Sequence, residues 1–329
     1  MAALSDTAPT YLDWARRLDP DGNIAQIVEI MSEELPMLED AAVVEGNDVL
    51  SHRTTVRSGL PTGTWRKLNY GVPVEKGKTK QITDTIGSLE SYGEVDKDLA
   101  MLNGNSAAWR LSEEAAFIEG LSQTMGDTVV YGNTDTDPEK FLGLTERYND
   151  SSAENARMVI NGGGGDSATQ SSIWGVTWGE RSCHMTFPKA STAGITFQDL
   201  GEETLEDAAG GLYQGYRTHY QWKAGMVLRD WRKVTRIANC KPAELTADST
   251  SVIDLMIDAQ NQLKSPGSNG RLVWYVNRGL KAFLDKEAKN QSNMALSVQQ
   301  QDNRGPVTMF WGNPIRLMEN LVTTEAVYS

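Results

Sequence analysis

The chain has little of what enzymes and secreted domains are commonly built around. Its 329 residues include two cysteines, Cys183 and Cys240, and three histidines, His52, His184 and His219. Two cysteines cannot form a disulfide framework, and a reducing compartment is the natural setting. Neither a zinc-ligand spacing nor a G-x-S-x-G or H-E-x-x-H motif is present, which removes the usual signs of zinc hydrolysis and of a nucleophile elbow. Cys183 and His184 are adjacent, and on a strand that sends them to opposite faces, where they cannot act as nucleophile and base. The longest apolar run, 272–276, is far below the roughly 20 residues that cross a bilayer. The opening residues lack the charged and apolar regions of a signal peptide. The expectation is a soluble, non-secreted protein with no catalytic site, no metal and no cofactor.

Positive charge is also in short supply. Lys and Arg number 31 against 44 Asp and Glu, a formal balance of −13, which disfavours nucleic acid or an anionic membrane as the main ligand of the free protein. The sign nevertheless alternates in blocks. Residues 1–50 hold eleven acids and two bases (−9), 52–80 seven bases and one acid (+6), 84–139 twelve acids and two bases (−10), and 217–241 seven bases and one acid (+6). Such blocks pair within one fold, or a basic segment of one subunit lies on an acidic surface of the next.

What is present is a globular composition, with 39% hydrophobic residues and 9 Trp, and a length that suits about two domains. Apolar spacing predicts helices over 23–36, 106–125, 251–263 and 277–289. Thr128 to Tyr131 has the β-branched character of a short strand. A hairpin is expected over 173–187 about Gly179 and Glu180, and a half-buried strand where Tyr216, Thr218, Tyr220 and Trp222 alternate with polar residues. A strand over 271–276 and a last hairpin about Gly312 complete an α+β order. Residues 51–71, polar and β-branched, read as two strands turning at Gly59–Gly63. Large apolar residues are few from 52 to 88, so this hairpin cannot bury much of itself and needs another surface to rest on.

Several apparent motifs fail on inspection. Gly71 and Gly77 have five residues between them where a phosphate loop needs four, and Pro73 removes a donor. Gly162 to Gly165 has no lysine close behind it, so a mobile loop is the simpler reading. Asn133, Asp135 and Asp137 begin like a calcium loop, but Pro138 stands where glycine must turn and Leu144 where a bidentate glutamate is required. Arg229, Arg232, Lys233 and Arg236 fall at helical spacing within 226–240 and suggest a basic contact face, suited to acidic protein more than to DNA in view of the total charge.

The order of the remaining motifs resembles the major capsid proteins of tailed bacteriophages (Caudoviricetes), and most nearly a branch from short-tailed phages. An acidic arm precedes a basic loop containing Gly59-Leu60-Pro61 and Trp65-Arg66-Lys67-Leu68-Asn69-Tyr70-Gly71. Glu94-Val95-Asp96, the long helix, and the run from Val130-Tyr131-Gly132-Asn133 to Phe141-Leu142-Gly143-Leu144 follow. Then come Trp222-Lys223-Ala224-Gly225, Arg229-Asp230-Trp231-Arg232 and Phe310-Trp311-Gly312-Asn313-Pro314.

The resemblance implies an α+β tailed-phage capsid fold. Its parts would be an N-terminal arm (1–47), an extension hairpin (48–92), a peripheral domain with spine helix 106–125 and a long sheet (93–240), an axial domain (241–305) and return strands of the peripheral domain (306–329). It further implies hexamers and pentamers of an icosahedral shell around double-stranded DNA, formed in the host cytoplasm, with portal, scaffolding and decoration proteins as partners and no membrane. The acidic arm would be held by a neighbouring copy.

Arg53, Arg57, Trp65, Arg66, Lys67, Lys76, Lys78 and Lys80 of the hairpin would contact a neighbour, whose acidic counterparts would be drawn from Glu94, Asp96, Asp98, Glu113, Glu114 and Glu119. Some relatives join such loops by Lys–Asn isopeptide bonds, but no asparagine here stands out as the partner. Two alternatives remain: a cellular compartment shell protein of the same fold, and a nucleotide-dependent enzyme using 71–79.

Overall fold

Ser171–Trp178 is buried at every position, and Arg271–Val276 at every position but its first. Strands covered on both faces read as near-continuous apolar runs, and these two lie side by side in the middle of the molecule. The computed structural model describes residues 35–101, 106–163, 170–207, 209–241, 249–265, 270–289, 295–301 and 305–328, with backbone alone for 106–114, 249–251, 300–301 and 305. Residues 1–34, which hold nearly all of the expected helix over 23–36 and most of the acidic arm, lie outside the described residues.

In chain order the strands are β1 (Val43–Glu45), β2 (Ser51–Gly59), β3 (Lys78–Thr85), β4 (Gly87–Asp96), β5 (Val159–Asn161), β6 (Ser171–Trp178) and β7 (Cys183–Phe187). They continue as β8 (Ile195–Glu206), β9 (Leu212–Leu228), β10 (Val234–Cys240), β11 (Arg271–Val276), β12 (Leu296–Gln301), β13 (Gly305–Phe310) and β14 (Asn313–Leu317). Twelve of them join one sheet with the main order β12-β13-β14-β11-β6-β7-β9-β4, while β2 and β3 form a separate two-stranded ribbon.

Strand β9 holds the sheet together. Its Gly215 to Ala224 stretch pairs with β4, and Gly225 to Leu228 pairs with β7. Burial changes along it accordingly, from a mixed pattern to five consecutive buried residues at Ala224-Gly225-Met226-Val227-Leu228. The outer half is covered by the long helix Ser106–Tyr131 through Phe117, which stacks on Tyr220 at 5.3 Å between ring centroids. Gly93 permits this approach, since a Cβ there would meet the Phe117 ring at 3.1 Å.

Four expectations need correction. The long helix continues to Tyr131 and absorbs the supposed strand, because Val129 and Val130 are buried at the helix's end; tertiary burial outweighs β-branched propensity. Residues 173–187 are not a hairpin. β6 pairs antiparallel with β10 and β11, β7 with β9, and the two touch only at Trp178 and Cys183. The basic run 226–240 is not a helix but the end of β9, a single 3₁₀ turn at Trp231–Lys233 and strand β10. The first strand of the ribbon does not turn back at Gly59–Gly63, since its partner is β3, with Ser51 opposite Thr85 and Gly59 opposite Lys78.

The sheet continues past residue 241. Strand β11 lies between β6 and β14, and the helix Ser249–Gln262 packs on β10. In residues 306–329, β13 pairs with β12 and β14 with β11. A further helix, Arg278–Lys289, expected at 277–289, buries Leu280, Phe283 and Leu284 against this end of the sheet.

Candidate intersubunit surface

The ribbon is firmly held at its root and bare at its tip. At the root, Asp84 stands opposite His52 in the ladder, and its carboxylate accepts from Arg147 Nη2 at 2.9 Å with both side chains mostly buried. Arg147, on the short helix Leu144–Arg147, also donates to the carbonyls of Met226 (2.9 Å) and Leu142 (3.2 Å). One guanidinium thereby ties β3, β9 and the turn after the long helix together. A buried ion pair whose guanidinium also donates to two carbonyls holds geometry well.

His52 packs edge-on against His184 of β7 at 5.7 Å, and its Nδ1 accepts from the Asn47 backbone N–H at 3.3 Å. Burial, and then the Arg229 charge, push the His52 imidazole below its ordinary value against the pull of Asp84. Burial takes His184 down to about 4, with His52 and Arg229 acting in the same direction. Both rings are thus neutral at pH 7 and act as packing groups.

Beyond the root every residue from 60 to 81 is exposed. This stretch carries six of the eight expected contact residues, Trp65, Arg66, Lys67, Lys76, Lys78 and Lys80, and the other two, Arg53 and Arg57, are exposed on β2. Trp65 is 97% exposed, with Leu60, Leu68, Tyr70 and Val74 also uncovered around it. A two-stranded ribbon has no core of its own and is marginal alone in water. Contiguous exposed apolar groups among cations mark a contact surface.

The expected acidic counterparts fare differently. Glu94 is engaged within its own subunit by Arg217 at 2.6 Å, and Arg217 also reaches Glu203 at 3.3 Å. Asp96 accepts from the backbone N–H groups of Asp98 (2.8 Å) and Leu99 (3.3 Å) at the start of the helix Lys97–Met101. Glu119 accepts from Gln123 at 3.0 Å, whereas Asp98 is exposed. The side chains of Glu113 and Glu114 lie outside the described residues.

The expected basic face does not exist as a face. Lys233 and Arg236 are buried; Lys233 Nζ donates to the Ser265 carbonyl at 2.9 Å. Arg236 Nη2 meets Glu325 at 3.0 Å, while its other nitrogens donate to Ser172 Oγ (2.9 Å) and the Tyr148 carbonyl (3.1 Å). Arg232 pairs with Asp230 at 2.7 Å and Arg229 donates to the Glu180 carbonyl at 3.2 Å. Glu325 and Arg147 escaped notice in the sequence because their partners are 89 and 63 residues away, with no spacing to signal them.

Residues 19–329 match the family described as major capsid protein GP7. Among curated proteins none matches significantly. Among solved structures, a chain from bacteriophage Epsilon15 is 32% identical with a TM-score of 0.78, the match covering 99% of each chain. A chain of the bacteriophage JBD30 capsid shares the fold at 11% identity and a TM-score of 0.51, over 89% of this chain and 95% of that one. A match across nearly the whole length to that family, with a ribbon that cannot cover itself, makes this chain a capsid shell protein, a member of the major capsid protein GP7 family.

Proposed function

We propose that this chain builds its shell from hexameric and pentameric rings of an icosahedral particle enclosing double-stranded DNA, with the ribbon β2–β3 and its loop 60–77 laid across a neighbouring copy. The observation that carries this is the contrast within the ribbon, a buried and hydrogen-bonded root below a tip on which Trp65 and its apolar neighbours are uncovered. Burying a large apolar side chain contributes about 1.5–3 kcal/mol, so a handful of such groups, with the flanking cations meeting acidic surface, supports a modest contact. Many copies of a modest, head-to-tail contact close into rings and act together. The role is structural, without a catalytic step. Partners are further copies of the chain, portal and scaffolding proteins, decoration proteins and the packaged DNA, and assembly takes place in the host cytoplasm.

Replacing loop 60–77 by a short turn tests the proposal. Electron microscopy is expected to show folded subunits but no closed shells. Unchanged particles from that variant would end the assignment of the loop, and particles filled with protein cargo instead of DNA would favour a cellular compartment shell.

A further inference from the structure

A cleft of about 550 Å³ opens between the outer half of the paired ribbon strands, from Val56 to Ser58 and at Lys80 and Ile82, and the body. Six cations line it, Arg57 and Lys80 from the ribbon and Arg157, Arg181, Arg229 and Arg232 from the body, against two carboxylates, Glu154 and Asp230. Asp230 is already held by Arg232, through 2.7 and 3.0 Å hydrogen bonds. Arg157 lies over the Trp231 ring at 4.5 Å, a cation–π contact that holds the guanidinium at the cleft wall. Among the described residues no carboxylate within ion-pair distance answers Arg57, Lys80, Arg157 or Arg181. In a chain of net charge −13, this is a local concentration of positive charge in a concave site, where low-dielectric walls focus the field.

The two walls belong to different parts of the molecule. Like charges facing each other across a hinge push it open unless an anion stands between them. We propose that the cleft binds a multiply charged phosphate group, which bridges ribbon and body and fixes the angle at which the ribbon leaves the subunit. Phosphate suits the site because guanidinium forks pair with its oxygens two at a time, and its tetrahedral oxygens can be approached from both walls at once. A planar carboxylate offers only two oxygens in one plane. The volume falls within the range of small-ligand sites. The phosphate comes either from a free oligophosphate or from a nucleic-acid backbone pressed against the mouth of the cleft. The site concerns the paired strands β2 and β3 and does not depend on where the loop 60–77 docks.

The test uses DNA-free assembled particles of the full chain and labelled pyrophosphate in equilibrium dialysis. Saturable binding is expected, weakened at least about tenfold, or roughly 1.4 kcal/mol, by Arg157→Gln/Arg181→Gln and likewise by Arg57→Gln/Lys80→Gln. Lys286→Gln, an exposed position outside both the cleft and the ribbon, leaves it unchanged. Two pairs on opposite walls guard against a variant that fails to assemble, which electron microscopy detects.

A spin label on Thr55→Cys, an exposed ribbon position in a chain whose own cysteines are buried, reports the clamp. Its mobility is expected to fall when pyrophosphate is added to the parent and not to the Arg157→Gln/Arg181→Gln background. Competition by short duplex DNA identifies the backbone as the source, and lack of competition identifies the free anion. No saturable binding by the parent, or binding as tight as the parent's in both double variants, overturns the proposal.

Discussion

Arg236 and Glu325 meet at 3.0 Å in the centre of the core, with 1% and 3% of their side chains exposed. The pair fastens the C-terminal segment to β10. Tyr131 at the end of the long helix donates its hydroxyl to Glu325 at 2.7 Å, and Ser172 donates to the same carboxylate. Helix, sheet and tail are joined through one carboxylate whose buried oxygens are all used.

Breaking one side of such a pair strands a buried charge and costs about 3–5 kcal/mol, whereas replacing both partners by apolar residues of similar size can be neutral or better. Glu325→Ala is therefore expected to lower the chemical denaturation midpoint sharply. Arg236→Met combined with Glu325→Leu is expected to recover most of the loss. A double variant no more stable than Glu325→Ala would mean that the hydrogen bonds to Tyr131, Ser172 and Tyr148 dominate instead.

Arg147→Ala leaves the Asp84 carboxylate buried without its partner at the ribbon's root. The expected result is a local loosening. Amide exchange should accelerate in β2 and β3, with little change in the helix Ser249–Gln262. The local penalty is of the order of 2–4 kcal/mol, that of an unpaired buried charge relieved in part by solvent entering at the ribbon's edge. Acceleration spread evenly over both regions would refute a role specific to the root.

The histidines at the root give stability a direction in pH. A folded-state value below the unfolded one means that the unfolded chain takes up protons first, so stability is fully present above about 6.5 and falls as pH drops towards the folded value. For His184 that window runs from about 6.5 down to about 4, a loss on the order of 3 kcal/mol. His52 shifts the same way. His184→Gln should flatten a plot of unfolding free energy against pH within that window. An equally steep plot in the variant would assign the acid sensitivity to other groups.

Trp65, 97% exposed, is expected to matter only between subunits. Trp65→Ser should leave the thermal midpoint of the isolated subunit nearly unchanged, within about 0.5 kcal/mol, as is usual for surface changes. The same change should lower the yield of closed shells at a given protein concentration. A destabilised subunit with normal shell yield would reverse this assignment.

The apolar periodicities of 251–263 and 277–289 and the continuous run 272–276 were sufficient to place two helices and a central strand, and structure finds them within two residues at each end. The sparse apolar content of 52–88 likewise announced a ribbon without a core. Where local pattern and long-range contact disagreed, the contact prevailed. Val129 and Val130 prefer strands by residue type, yet they complete a helix because their side chains fill the core beside Met125.

The spacing of Arg229, Arg232, Lys233 and Arg236 fits one helical face but arises from a strand end, a turn and a second strand. Charge spacing alone is a weak guide, because ionic side chains adapt to whichever backbone carries them.

Composition and local periodicity thus determined the α+β character, the absence of enzyme motifs and a segment unable to cover itself, since these depend on neighbours within a few residues. Tertiary structure alone decided that Arg236 is buried and Trp65 bare, that β9 joins the outer and central parts of the sheet, and that Arg147 reaches Asp84. Each of those outcomes depends on groups dozens of residues apart, brought together only when the sheet closes, and burial then decides which charges find partners inside the subunit and which remain for another.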